Sequence, residues 1–375
     1  MGQKLHHSRR YGRRRKSAAK PIIGWVAAAL VLVPASYFGA RYLGSRKNNV
    51  TATTPSASQT TVTAAPVTTP APTVQATALR GVTLSYAALR DTAALKTTCK
   101  AAADAGNNCA VVELKAKTGA LYYISETEVG KTVAAQTADA LTLAALTDAF
   151  AVMQNAGITP VVRLFAFEDA VAPRKLAGAK IATTGHAEWT WYDGDPKNGG
   201  KPWLNPYSDA AQTYIVSLAE ELYTAGAGAL LLDGVYFPTQ TAQAQLAVGD
   251  NAALSKAQVL GQFVTRVHNL REDAPLLLCG SANAFLGNNT AGFDGNPKDF
   301  GCTAIVPDLR LSSLGKRLTV GDKKFTPAAE TLGDITAAVV AALKTSDGPT
   351  VLPLIDANDA TKAAAGDAYI MDLAD

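Results

Sequence analysis

Histidine is scarce, at four residues in 375, and no Gly-x-Ser-x-Gly turn occurs. A serine or cysteine nucleophile activated by histidine therefore has no visible seat. No close pair of Cys or His has the spacing of zinc ligands, and no phosphate motif is present. No metal and no cofactor are expected. The turn after the first strand-like run reads Ser85-Tyr86-Ala87. It lacks the glycines that bring a backbone close to a dinucleotide phosphate, which argues against a doubly wound nucleotide-binding sheet. Residues 50–78 hold no charged side chain and consist almost wholly of Thr, Ala, Pro, Val, Ser and Gln. Such a stretch cannot build a core and reads as an extended linker.

Charge is present but unevenly placed. The formal net charge is +4, yet much of the excess lies between His6 and Lys20. Removing that segment leaves the rest slightly acidic, so no nucleic-acid surface is expected on the folded part. Residues 21–43 then run without charge until Arg41, with Trp25 near one end and Tyr37 and Tyr42 near the other. The length matches the roughly 20 residues needed to cross a bilayer, and the aromatics suit its two interfaces. The basic flank predicts residues 1–20 in the cytoplasm and the remainder outside the cell, on a single-pass signal-anchor. A cleaved signal peptide is the rival reading. The linker is set at 44–79 and the folded domain at 80–375. Cys99, Cys109, Cys279 and Cys302 make an even count in an exported chain, which predicts disulfides, with the local pairs Cys99–Cys109 and Cys279–Cys302 favoured over four buried thiols.

From Gly81 onward, short apolar runs alternate with helical stretches. The runs are 82–86, 110–114, 159–165, 229–233, 275–279, 303–306, 350–355 and 368–373. The helical stretches are about 91–105, 138–155, 208–225, 254–270 and 326–344. In 208–225, Tyr214, Ile215, Leu218 and Leu222 fall at helical spacing, Ser208 or Asp209 can cap the start, and Gly226 suits the end. About eight strands alternating with helices predict an α/β fold of the (β/α)8 TIM type. The connections 168–207 and 281–300 are long, and long loops in a compact domain are usually functional.

Candidate site residues sit where the strands end. Gly228 to Pro238 reads as a strand buried on both faces that stops at one carboxylate, Asp233. Barrel enzymes build their sites at that end of the strands. Glu113, Arg163, Asp308 and Asp356 occupy comparable positions. Asp169, Trp189, Trp191 and Trp203 lie in the long third connection, which holds three of the four tryptophans. Sugar rings present flat C–H faces to aromatics and hydroxyls to carboxylates, so an aromatic-rich loop beside several acids suits carbohydrate. Glycoside hydrolysis needs two carboxyl groups about the scissile bond, and Asp233 with Asp308, Asp356 or Glu113 can supply them. Plain structural roles stand beside these: Glu113 as an interior acid paired with Lys115 or Arg163, Asp233 as a turn cap, and the tryptophans as loop packing.

Four segments in order carry a resemblance: Val111 to Tyr123, Val162 to Asp169, Trp203 to Tyr207 (with Tyr214 and Glu221 after it), and Leu232 to Pro238. Together they resemble a bacterial TIM-barrel domain classed by likeness with the glycoside hydrolases and distantly α-amylase-like. The resemblance implies a barrel acting on glycans, with Asp233 as nucleophile and Glu113, Arg163, Asp169, Trp203, Asn205 and Tyr236 around the substrate. Departures are plain. Glu113 stands where the family has Asp, Ala116 and Lys117 replace acids, and Gly234 and Tyr236 replace Tyr and Arg. The relatives carry an acid on the fifth strand, whereas Leu276 to Asn283 has none. The resemblance thus leaves the proton donor unassigned, and Asp308 or Asp356 is the expected acid/base. The expectation is a membrane-anchored extracellular glycan-active protein, most simply a glycoside hydrolase. A barrel that has lost its donor and serves as a glycan-binding or envelope-scaffold module is the alternative.

Overall fold

The computed structural model describes residues 75–239, 245–248 and 253–373. The basic segment 1–20, the apolar span 21–43 and the linker up to residue 74 lie outside the described residues. Among the described residues, no helix is long and apolar enough to cross a membrane.

Eight strands form the frame: β1 (Arg80–Leu84), β2 (Cys109–Lys115), β3 (Thr159–Phe165), β4 (Ala229–Asp233), β5 (Leu276–Ser281), β6 (Ala304–Asp308), β7 (Leu354–Asp356) and β8 (Tyr369–Asp372). Each pairs in parallel with the next, and β8 pairs back to β1, so the sheet closes. Strands apolar on both faces need cover on each, and here the barrel interior covers one face and the helices the other. Inward residues such as Cys109, Val111, Val161, Leu231, Leu277, Val306 and Ile370 form one buried cluster. Outward residues such as Val112, Val162, Leu164, Leu230, Leu232 and Leu278 join the helices in a second. On β1 the inward position is Gly81, where a Cβ would stand 2.8 Å from Cys109 Sγ, so the missing side chain makes room for its neighbour. Ala76 and Leu79, just before β1, belong to the inner cluster and close its lower end.

The outer layer comprises α1 (Thr92–Asp104), α2 (Leu143–Asn155), α3 (Asp209–Ala225), α4 (Lys256–His268), α5 (Leu332–Leu343) and α6 (Asp359–Ala365). Helix α3 begins where the Ser208 hydroxyl accepts the Ala211 N–H and ends at Gly226, with φ 111°. Its buried face carries Tyr214, Ile215, Leu218 and Leu222, as the spacing predicts.

Three local expectations differ. Residues 138–142 are strand rather than helix: Gln136–Thr142 pairs with Leu121–Ile124, and Thr142 then caps α2. The third connection is not structureless. Ala182–Thr183, His186–Thr190 and Leu246–Ala247 form a small sheet around its own core of Ile181, Trp191 and Trp203. The disulfide expectation is overturned, for all four cysteines are free and buried. The reason is the barrel wall. Cys109 and Cys279 point into the barrel while Cys99 and Cys302 sit in the outer shell, so each sequence-local pair is divided by the sheet.

One buried ion pair ties this frame to the loops above it. Lys115 Nζ lies 2.8 Å from Asp169 Oδ2, close but not aligned as a hydrogen bond, and both side chains are fully buried. The same ammonium donates to the Phe165 carbonyl at 2.8 Å. Asp169 Oδ1 accepts the N–H groups of Val171 and Ala172. Gly119 packs so tightly here that a Cβ would fall 2.3 Å from Asp169 Oδ1, and its φ of +84° disfavours any side chain. Removing one partner of such a pair strands a buried charge. Asp169→Ala is therefore expected to lower stability by about 3–5 kcal/mol, read as a fall in the urea midpoint of the full chain.

Candidate active site

The apolar interior changes character one step up each strand. Two residues beyond an inward apolar residue comes a polar one: Glu113 after Val111, Arg163 after Val161, Asp233 after Leu231, Asp308 after Val306 and Asp372 after Ile370. Strand periodicity puts each pair on one face, so a polar tier caps the apolar tiers at the C-terminal mouth.

Two networks organise that tier. Arg163 donates through Nε to Asp233 Oδ2 at 3.1 Å and through Nη2 to the same oxygen. Asp233 Oδ1 accepts the Gly234 N–H at 2.7 Å. Gly234 has φ +64°, and this turn lets the chain leave β4 while donating back to the carboxylate. Burial disfavours the Arg163 charge, but the Asp233 carboxylate outweighs it and holds the guanidinium above its ordinary value. In the second network, Arg310 clasps Asp308 with contacts of 2.6 and 2.9 Å and reaches Asp372 at 2.6 Å. Ser313 also donates to Asp308, at 2.7 Å. Burial works to raise Asp372, but hydrogen bonds from Arg310 and Thr83 prevail and keep it below the usual carboxylate range. Asp356 accepts the Leu311 N–H at 2.8 Å.

Two glutamates behave differently. Burial pushes Glu113 up, against the opposing charge of Arg163 and with the like charge of Asp233. Burial also pushes Glu168 up, while a hydrogen bond from Tyr236 Oη at 3.1 Å pulls it down. Glu168 lies beside the end of β4: its Cβ is 3.6 Å from where a Cβ on Gly234 would stand.

A cleft of about 420 Å³ opens over these groups. It is lined by Arg163, Asp233, Asp308 and Tyr236 from the expected set, and by Glu168, Lys117, Arg310 and Phe293, which were not in it. Glu113 faces Arg163 across paired strands and is not part of the lining. The other expected residues lie elsewhere. Asp169 is buried with Lys115. Trp191 and Trp203 are buried in the small core, where Trp203 Nε1 donates to Asp193 at 2.9 Å. Asn205 is buried, donating to the Val248 carbonyl and accepting the Tyr207 N–H. Trp189 is 56% exposed and stacks on His186 at 3.9 Å. Cys279 lines the cleft from the fifth strand, and burial, with Asp233 beside it, pushes its thiol well above the ordinary value. It is thus kept as an unreactive thiol. Among the described residues, no cluster of His, Cys, Asp and Glu is arranged to hold a metal.

With this geometry in view, comparisons place the chain. A family model described as "Putative glycosyl hydrolase domain" matches residues 81–280, more than half of the 375. The chain belongs to that family. The match runs from β1 through β5 and so takes in Glu113, Arg163, Glu168, Asp233 and Tyr236. No curated protein matches. Among solved structures, a hypothetical protein from Ruminiclostridium thermocellum is similar at 18% identity, covering 52% of this chain and 96% of that one, TM-score 0.45. A GH20 exo-β-N-acetylglucosaminidase from Vibrio harveyi is 11% identical over 74% of this chain and 41% of its own, TM-score 0.44. A chitobiase from Flavobacterium johnsoniae is 11% identical over 79% and 44%, TM-score 0.45. The chain thus spans less than half the length of those two enzymes.

Among the described residues, the Tyr236 hydroxyl donates the hydrogen bond that holds Glu168 down. Tyr236→Phe is expected to move the Glu168 titration further upward, measurable by side-chain carboxyl NMR with Glu168→Gln to assign the signal.

Proposed function

We propose that this protein is a glycoside hydrolase, held outside the cell by residues 21–43 and working at the barrel mouth. The observation that carries the reading is the pairing of two unlike carboxyl groups in one cleft. Asp233 is ion-paired with Arg163 at the end of β4. Glu168 is pushed toward its protonated form by burial. A carboxyl that burial pushes toward its protonated form, beside one paired with a guanidinium, suits the acid role and leaves the other role to its neighbour. Glu168 donates its proton to the glycosidic oxygen as the C–O bond breaks. Asp233 attacks or stabilises the positive anomeric carbon, and water supplies the hydroxyl that completes the product. Arg163 holds the Asp233 carboxylate in place. Family membership supports the substrate class, and the basic and apolar N-terminal segments support the location.

This assignment moves the donor from Asp308 or Asp356 to Glu168. Asp308 is already committed to Arg310 and Ser313, and Asp356 to the Leu311 amide. Those commitments, with no acid on β5, are also what favours the second reading, a glycan-binding barrel without turnover.

The test is release of reducing ends from a panel of cell-wall and storage glycans by the full chain. Asp233→Asn is expected to reduce release at least about a hundredfold, and Glu168→Gln by about 10²–10⁴. The wild-type rate is expected to fall on the alkaline side as Glu168 loses its proton, at a pH above the ordinary glutamate value of about 4.3. No release from any glycan, together with a glycan-dependent change in tryptophan fluorescence, identifies the binding module instead. For location, protease added to intact cells is expected to remove the barrel and leave residues 1–43 in the membrane fraction.

A further inference from the structure

The charged groups that line the cleft do not all cancel. Arg163 is paired with Asp233, and Arg310 with Asp308. The lining also holds Lys117 and Glu168. Glu168 accepts a hydrogen bond from Tyr236. Lys117 is exposed, and among the described residues it makes no hydrogen bond and no ion pair. With Glu168 protonated as the donor, Lys117 is the one charge among the described residues of the lining that has no counter-charge of its own.

The backbone under Lys117 is fixed. Ala116 to Gly119 is a turn just beyond β2, in which the Gly119 N–H donates to the Ala116 carbonyl at 2.9 Å. The Ala116 N–H donates to the Ala120 carbonyl, also at 2.9 Å. Gly119 packs against Asp169, and Lys115, just before the turn, is ion-paired with the same carboxylate. These contacts clamp the turn onto the segment that carries Glu168, one residue before Asp169. Lys117 and Glu168 therefore share one side of the mouth, beyond the ends of the paired strands β2 and β3.

A bare ammonium in that place works against a proton donor. Burial pushes Glu168 up, the Tyr236 hydrogen bond and the charges of Lys117 and Lys201 pull it down, and the charge of Asp233 adds to the rise. An anion seated on Lys117 offsets part of that pull and helps Glu168 keep its proton, which a neutral sugar does not. A bound substrate also displaces water from around the ammonium, and an uncompensated charge is then disfavoured. We propose that the cleft takes an acidic polysaccharide, with the carboxylate of a uronic acid next to the scissile bond paired with Lys117. One uncommitted cation matches one negative charge, and a uronic acid carries a single carboxylate on its ring. This rests on the hydrolase reading above, and the test separates the two.

The full chain is incubated with polygalacturonate, alginate and hyaluronan, each beside its carboxyl-reduced form, and with neutral glycans, and released reducing ends are measured. Expected is cleavage of an acidic polymer at least about tenfold faster than of its reduced partner. That preference is expected to shrink as sodium chloride is raised, because salt screens an ion pair open to water. Lys117→Gln is expected to bring the two rates together and to abolish the salt dependence, with the urea midpoint unchanged because the side chain holds nothing in the fold. Lys117→Arg keeps the charge and is expected to keep the preference. Equal rates on an acidic polymer and its reduced form, release from neutral glycans alone, or a preference that survives Lys117→Gln each overturn the proposal and leave the hydrolase reading standing. No release from any polymer overturns both.

Discussion

The Lys115–Asp169 pair governs where everything at the mouth can sit. Two opposite charges are held with no access to water, one on the last residue of β2 and one in the loop leaving β3. Desolvation makes such a pair costly unless each charge keeps its partner, so the loop has essentially one docked position. Lys115 fastens the end of β3 through the Phe165 carbonyl, and Asp169 fastens the following turn through two amides. Glu168 lies between these two fixed points. Its place beside the end of β4 therefore follows from a structural contact one residue away together with the hydrogen bond it accepts from Tyr236.

Much of the frame is legible in the residues because it follows from burial and period. Eight short apolar runs, each buried on two sides, leave few arrangements other than a closed parallel barrel. Asp233 stands out because a carboxylate directly after Leu230, Leu231 and Leu232 must come where the strand leaves the core. The same reasoning reaches Glu113, Arg163 and Asp308, which share its inward parity. Asp372 obeys the same rule, two residues beyond Ile370, and that parity was the signal available for it.

What resisted reading depended on neighbours distant in the chain. Glu168 and Asp169 are adjacent acids with no local mark to say which is the structural one. The choice is made by Lys115, some fifty residues earlier, and by the glycine at 119 that admits the carboxylate. The tryptophans had the composition of a sugar platform, yet Trp191 and Trp203 serve as the core of a small sheet that needed apolar filling of its own. The cysteine pairs looked local in sequence, but a strand sends alternate residues to opposite faces and a sheet one layer thick kept them apart. Arg310 could be placed only once Asp308 and Asp372, neighbours on neither strand nor loop, were known to converge.

The lower end of the barrel has a further consequence. Ala76 and Leu79 fill it as the chain runs into β1, so the described chain enters the barrel at the pole opposite the cleft. The base at that point is plugged by apolar side chains. Substitutions at that base are thereby separated from the polar mouth by the whole apolar interior of the barrel.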